Sequence, residues 1–425
     1  MTGPSLGRVL RARAGVVQVQ LPASAVGEAV EICAGHAKIF GVVQSVGDGI
    51  ASLAVQGSIE GVMVGDAVRA LPGGLTAPLG MVALGRAIDA QGTPIDCGPD
   101  LRARRHRMEL RAPAPAERRP PKTPLWTGIK AVDALMTIAR GARVGIFGAP
   151  GVGKSTLLST LARGIGADAI VIGLIGERGR EAAEWVRHIS ERATIVCASS
   201  DRSAVERAAA ARTAMAQATV LRARGLHVLL ILDSLARLAA ALREIAVACG
   251  EPVGRGSFAA SVFAQLASFV EVAGQTARGS ITLIATILTE GVDERDPISE
   301  AARSLLDGHI HLSLALAHAG RYPAVDVAAS ASRLMPSIIT AEHARDAQAV
   351  RRAIAALGET EDARSLGLPQ RDPWVVAAQA HEPSIELLLR QDEEPVPAAR
   401  TLAELHRIAH SLVAETALPQ GLLAR

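Results

Sequence analysis

Gly148-Ala149-Pro150-Gly151-Val152-Gly153-Lys154-Ser155-Thr156 is the strongest local signal in the chain. It fits G-x-x-x-x-G-K-[ST], follows the apolar run Arg143-Val-Gly-Ile-Phe147, and leads into the helix-like Leu157-Leu-Ser-Thr-Leu-Ala-Arg163. Glycines in such a loop let backbone N–H groups turn inward around phosphate oxygens, and the helix N-terminus adds partial positive charge. Lys154 is expected to reach the β- and γ-phosphates of a nucleotide such as ATP, and the Ser155 hydroxyl to complete a Mg2+ shell. Four lysines occur in the chain (Lys38, Lys122, Lys130 and Lys154), leaving 41 of 45 basic residues as arginine. With lysine this scarce, a chance match to the motif is rare.

Outward from the loop, apolar runs alternate with helical segments from about residue 125 to 345. The strand candidates are 143–147, 169–175, 193–198, 228–232 and 281–287. Continuous apolar runs of this kind point to a parallel sheet covered on both faces, an α/β architecture. The run 228–232 ends in Asp233-Ser234. An aspartate at the carboxyl end of a parallel strand faces the ligand crevice and can order the Mg2+ shell. A plain helix N-cap is the alternative for Asp233. Gly176-Glu177-Arg178-Gly-Arg180-Glu181 closes the strand that follows the loop's helix. A carboxylate there can polarise an attacking water. A solvated charge cluster capping the next helix fits the spacing slightly better.

Upstream, residues 14–90 read as short strands, 16–21, 37–43, 50–55 and 66–71, separated by glycines and polar turns. Their regular spacing predicts a small β-barrel. Residues 97–124 break the pattern with five arginines from Arg102 to Arg111 and prolines at 113, 115, 120, 121 and 124. This reads as a linker whose charge is a solvated face. The last 80 or so residues, 346–425, are rich in alanine and leucine at helical spacing, with acidic caps. The expected division is a barrel domain at 1–92, a basic proline-rich linker at 93–124, a P-loop domain at 125–345 and a helical domain at 346–425.

Composition bounds the class. A chain of 425 residues is too long for one compact core. With 49% hydrophobic and 20% charged residues it is globular, and aromatics at 2% leave an aliphatic core. A net charge of +3 argues against a nucleic-acid partner. Cys33, Cys97, Cys197 and Cys249 fit neither a zinc site nor a disulfide framework. Charge runs through the first 13 residues, where a signal peptide needs its apolar core, and no apolar run reaches membrane-span length. A soluble, cytoplasmic protein is the expectation.

With these elements placed, the chain closely resembles the type III secretion and flagellar export ATPases, which are similar in turn to rotary ATP synthase catalytic subunits. The resemblance runs through Leu84-Gly-Arg-Ala-Ile-Asp-Ala-Gln-Gly-Thr-Pro-Ile-Asp96, Thr127-Gly-Ile-Lys-Ala-Val-Asp133, Gly141-Ala-Arg-Val-Gly-Ile-Phe-Gly148 and Gly176-Glu-Arg-Gly-Arg-Glu181. It continues in Asp233-Ser-Leu-Ala-Arg237, Arg243-Glu-Ile-Ala-Val-Ala-Cys-Gly-Glu-Pro252, Leu306-Asp-Gly-His-Ile-His-Leu312 and Tyr322-Pro-Ala-Val-Asp-Val-Ala-Ala-Ser-Ala-Ser-Arg333. It implies an N-terminal β-barrel, a central RecA-like P-loop domain and a C-terminal helical domain. It implies Glu177 as the catalytic carboxylate, Arg333 reaching across a subunit boundary to the neighbour's γ-phosphate, and Tyr322 near the adenine ring. Core packing is the alternative for Tyr322, and a plain surface arginine for Arg333.

The chain departs from the family pattern at Ala142 and Ala236, where glutamine and threonine are usual, in 255–274, which lacks the usual tyrosine, the prolines and two arginines, and in 285–293, which lacks the usual aromatic and one acid. These departures bear on turnover, ring stability and stalk coupling more than on nucleotide binding. The expected function is the Mg-ATP hydrolase of a protein-export apparatus, releasing chaperones from cargo. The implied partners are a homo-hexamer, stalk and peripheral stator proteins, chaperone–cargo complexes and an inner-membrane export gate, with the chain peripheral to that membrane. A rotary ATP synthase-type subunit would carry a longer acidic lever than Asp392-Glu-Glu394. A hexameric RNA helicase would need stacking aromatics in its N-terminal strands. A ring-forming scaffold with weak turnover is the remaining alternative.

Overall fold

The computed structural model describes residues 6–13, 15–22, 24–72, 74–108, 110–289 and 296–416. The chain divides into two compact units. The first comprises Met1–Arg118, Asp168–Thr286 and Arg295–Leu305, and the second Arg119–Ala167, Ile287–Glu294 and Leu306–Arg425.

The first unit opens with a closed six-stranded barrel, the strands following one another around it in the order β1-β2-β5-β4-β3-β6. These are β1 (Leu6–Arg13), β2 (Val16–Gln20), β3 (Ala29–Ala34), β4 (Ala37–Gly47), β5 (Ile50–Val55) and β6 (Ala67–Leu71). Branched residues at alternate positions, Val17, Val19, Val30, Ile32, Leu53 and Val68, are fully buried in its core. Past the barrel, β7 (Thr76–Pro78) pairs with β9 (Arg105–Arg107), so part of the arginine-rich stretch is strand. Between them lies β8 (Arg86–Ile88), which joins a parallel sheet.

That sheet runs β17-β15-β13-β14-β8, with every pair parallel. Its strands are β13 (Ala169–Ile175), β14 (Ala193–Ala198), β15 (His227–Asp233) and β17 (Ser280–Leu288), the last also pairing with β16 (Gly274–Gln275). Every residue of β13 and β15 is buried, which is why both read as unbroken apolar runs. Helix α3 (Gly179–Arg187) connects β13 to β14. The 20-residue α4 (Ala204–Ala223) packs on β13, β14 and β15, and starts at a capping box in which Ser203 and Glu206 each accept from the other's backbone N–H. α5 (Leu235–Ala248) and α6 (Ala260–Val272) pack beside it, and α7 (Pro297–Leu305) packs on α5 and α6.

In the second unit, β12 (Arg143–Gly148) pairs in parallel with β18 (Gly308–Leu312), and β18 pairs antiparallel with β19 (Val325–Ser332). A short ribbon of β10 (Pro124–Leu125) and β11 (Ile138–Ala139) flanks α1 (Lys130–Leu135). The nucleotide-loop helix is α2 (Lys154–Gly164), and α8 (Leu314–His318) and α9 (Met335–Ile338) connect later elements. The remaining helices are α10 (Ala341–Glu359), α11 (Glu361–Ser365), α12 (Pro373–Leu389) and α13 (Ala398–Thr416). α10, α12 and α13 pack on one another around Val350, Ala353, Leu388, Leu405 and Leu412. The chain is therefore a β-barrel, an α/β fold built on parallel strands, and C-terminal helices.

Candidate functional site

Two clusters carry the candidate chemistry, one in each unit. In the second unit, β12 delivers the chain to Gly148, where the loop doubles back over the buried Val152. A Cβ on Gly148 would press on Val152 Cγ2 at 3.0 Å and Leu312 Cβ at 3.1 Å. Gly153 sits at φ 88°, in the left-handed region that glycine adopts without strain, and a Cβ there would come within 3.5 Å of the Tyr322 ring. The Lys154 ammonium donates to the carbonyls of Gly148 at 3.0 Å and Ala149 at 2.7 Å, which holds it against the loop. Ser155 and Thr156 are exposed in the first turn of α2, where backbone N–H groups lack intrahelical partners and Gly153 brings no capping side chain. This is an anion cradle by construction.

The far end of α2 is anchored. A Cβ on Gly164 would land on the Thr127 carbonyl oxygen. The turn at Thr127 and Gly128 is fixed by the fully buried Asp133, which accepts from Thr127 N at 2.8 Å, Thr127 Oγ1 at 2.8 Å and Gly128 N at 3.0 Å. Three donors favour the Asp133 carboxylate, yet burial outweighs them and lifts its pKa to about 6.

In the first unit, Glu177 follows β13 and Asp233 ends β15, and both are buried. Asp233 Oδ1 accepts from Thr286 Oγ1 at 2.5 Å. Ser234, the N-cap of α5, accepts from Arg237 N at 3.2 Å and so fixes the backbone from which Arg237 reaches back. The Arg237 guanidinium donates to the Gly176 carbonyl and pairs with Glu177 Oε1 at 2.7 Å. Burial and the Asp233 carboxylate raise the Glu177 pKa to about 7, against the opposing pull of Arg237. A carboxylate titrating near neutrality is suited to general-base work.

The sequence-predicted residues thus fall into two groups that the structure brings together separately. Gly148 to Thr156 meets Tyr322, whose exposed ring lies on the loop. Glu177 meets Asp233. Arg333 is exposed just past β19, with its backbone N–H donating to Asp307 O at 3.0 Å. Arg237 and Thr286 were not singled out as site residues from sequence. The spacing Asp233-Ser234-x-x-Arg237 carries a signal for the first, because an N-cap serine places the third residue of its helix at a set angle. Thr286 lies in an apolar strand with no local mark. Part of the departing segment 285–293, from Glu290 onward, lies outside the described residues.

Residues 128–332 match the family model for the ATP synthase alpha/beta family, nucleotide-binding domain. The type 3 secretion system ATPase of Pseudomonas savastanoi pv. phaseolicola is 41% identical over 428 residues, covering 96% of this chain and 94% of that protein. The flagellum-specific ATP synthase of Pseudomonas aeruginosa is 40% identical over 369 residues, covering 84% of this chain and 81% of that one. Among solved structures, the assembled ATPase EscN of the enteropathogenic E. coli type III secretion system matches with a TM-score of 0.89 at 33% identity, over 95% of this chain and 100% of that one. EscN in complex with its central stalk EscO matches at 0.86 and 32%, over the same shares of the two chains. A nucleotide loop, a buried glutamate and a strand-end aspartate, carried on a chain alike along almost its whole length, place this protein in the type 3 secretion system ATPase family.

Proposed function

We propose that this chain is the ATP hydrolase of a type III protein-export apparatus, acting as a homo-hexamer around a central stalk. The observation that carries the reading is Glu177, buried beside Asp233, held by Arg237 and raised to about 7, in a chain with an intact phosphate loop. The reaction is in-line attack of water on the γ-phosphate. Lys154 neutralises phosphate charge, the first-turn N–H groups of α2 bind phosphate oxygens, and Tyr322 packs by the base. Glu177 accepts the water's proton. Arg333, lent by a neighbouring subunit, stabilises charge that develops in the transition state.

Magnesium fits the donors available. The Ser155 hydroxyl and the Asp233 carboxylate are hard oxygen ligands, and Thr286 orients the carboxylate through Oδ1. When bound there, Mg2+ would supply charge against the β- and γ-oxygens. The division into barrel (1–92), linker (93–124), P-loop domain (125–345) and helical domain (346–425) belongs to the same proposal. So do stator contacts, chaperone–cargo recognition by the C-terminal helices, and a location at the cytoplasmic face of the export gate.

The test is Mg-ATPase rate against protein concentration, with nucleotide affinity measured in parallel. Lys154→Ala is expected to lose nucleotide binding or turnover while keeping the wild-type circular dichroism, because the loop faces a ligand rather than a core. Wild-type turnover from Lys154→Ala would sink the hydrolase reading. A wild type that binds ATP yet hydrolyses none at any concentration would instead mark a ring-forming scaffold.

A further inference from the structure

The first unit holds a half-open cavity of about 640 Å³ between barrel residues and α4, α5 and α6. It falls within the roughly 300–1,000 Å³ of small-molecule sites. Its walls are largely aliphatic, including Val42, Ala54, Leu238 and Leu242, with the Phe269 ring among them, and the charged side chains Glu28 and Arg107 also line it. On α4, Val205, Ala208, Ala209 and Arg212 all line it, the i, i+3, i+4 and i+7 positions of one helical face. Arg212 brings a guanidinium to this lining, and among the described residues its hydrogen-bond partner is Gln265 Oε1 at 3.1 Å. Among the described residues no carboxylate pairs with it. Arg212 keeps some solvent contact, yet burial pushes its pKa below the usual range and no acid contributes to the shift. A buried cation with no carboxylate paired to it is costly, and an anion that pairs with it recovers that cost.

We propose that this cavity is a binding site for a small amphipathic anion, an apolar body bearing one carboxylate, sulfonate or phosphate that pairs with Arg212. The apolar body packs on α5 and α6, and the guanidinium, with N–H donors beyond the one given to Gln265, takes the anionic head. The inference is independent of the hydrolase reading, since none of these residues belongs to the nucleotide loop or the Glu177 cluster. The wall helix α5 is nevertheless the one that carries Arg237, so an occupant touches the element that holds Glu177.

The full chain is titrated with anilinonaphthalene sulfonate, followed by fluorescence, with saturating ADP present to fill the nucleotide loop. Phenylnaphthylamine, the same aromatic body without the sulfonate, is the uncharged control. Saturable binding of the sulfonate is expected. Arg212→Met should weaken it by about tenfold or more while leaving phenylnaphthylamine within about twofold, because only the charge pairing is lost. Ala209→Met, which pushes a longer side chain into the cavity from α4, should weaken both probes. If Arg212→Met does not keep the wild-type circular dichroism, Arg212→Gln replaces it, retaining a polar group beside Gln265 without the charge. Sulfonate binding that is absent, or unchanged in the arginine variant, overturns the proposal. Binding of both probes unchanged in Ala209→Met also overturns it, since they would then sit elsewhere.

Discussion

Glu177 is pulled in two directions. Burial and the Asp233 carboxylate favour its neutral form, while Arg237 at 2.7 Å favours the charged one, and the balance lies at about 7. A base acts only when ionised, so activity carried by Glu177 rises as pH rises through its pKa. The kcat/KM of the free enzyme should therefore show an acid limb with its midpoint near pH 7. Glu177→Gln should bind Mg-ATP about as well as wild type, lose that limb, and turn over roughly 10²–10⁴-fold more slowly. Arg237→Ala removes the opposing pull, so its limb should move to higher pH. Single-turnover rates from pH 5.5 to 9, about the window in which such a group titrates, would decide it. Turnover from Glu177→Gln equal to wild type would demote the residue to a structural cap.

The stretch Leu84 to Asp96 shows how an element holds its place. β8 has three residues, too few to anchor a sheet edge by its ladder alone. Asp96 supplies the rest, accepting two bonds from the Arg86 guanidinium at 2.7 and 2.9 Å and further ones from Ala87 N and Gly98 N. This holds the Asp96 carboxyl far below the usual carboxylate range, the hydrogen bond from Arg86 being the largest cause. A depressed carboxylate contributes stability above its ordinary value, near pH 4, and loses it as pH falls further. Asp96→Asn should thus lower unfolding stability by roughly 1–3 kcal/mol at pH 7, and by less at pH 3. Urea denaturation at the two pH values reads this directly, and equal midpoints at pH 7 would refute it. The legible strands were those whose burial is uniform. The expected bounds 169–175 and 193–198 match β13 and β14, because an unbroken apolar run has one reading. β3 was missed because Glu31 interrupts its apolar run. Across the barrel wall that charge faces Arg69 at 3.3 Å and Lys38 at 3.5 Å, so the strand tolerates it. β18 was missed because His309 and His311 look polar, yet His311 stacks on Phe147 at 5.0 Å. The nucleotide loop and Asp233 were legible from local pattern. The part played by Arg237 was not, since it depends on a contact 60 residues back along the chain.

At the scale of the whole molecule, Arg333 carries the argument for a ring. It is exposed, and its position is set by neighbours rather than by a core: its N–H donates to Asp307 O, and the Asp307 carboxylate accepts from Arg143 N at 2.9 Å. An exposed arginine on a fixed backbone suits a role on another subunit's nucleotide. If Arg333 acts in trans, its loss should lower turnover far more than nucleotide affinity, because the charge it meets develops in the transition state. Arg333→Ala and Lys154→Ala should each be nearly inactive alone. Mixed in equal amounts, they should recover activity, because a subunit with a defective loop still lends its arginine to a neighbour whose loop is intact. Random assembly makes about a quarter of the interfaces competent, which sets the scale of the recovery. Wild-type specific activity should also climb steeply with protein concentration as rings close. No recovery, in a mixture whose mass shows that the two variants share rings, would mean that Arg333 works within its own chain or not at all. Wild-type activity independent of concentration, in a protein that stays monomeric, would remove the hexamer from the mechanism and leave Glu177 and Lys154 to hydrolyse ATP unaided.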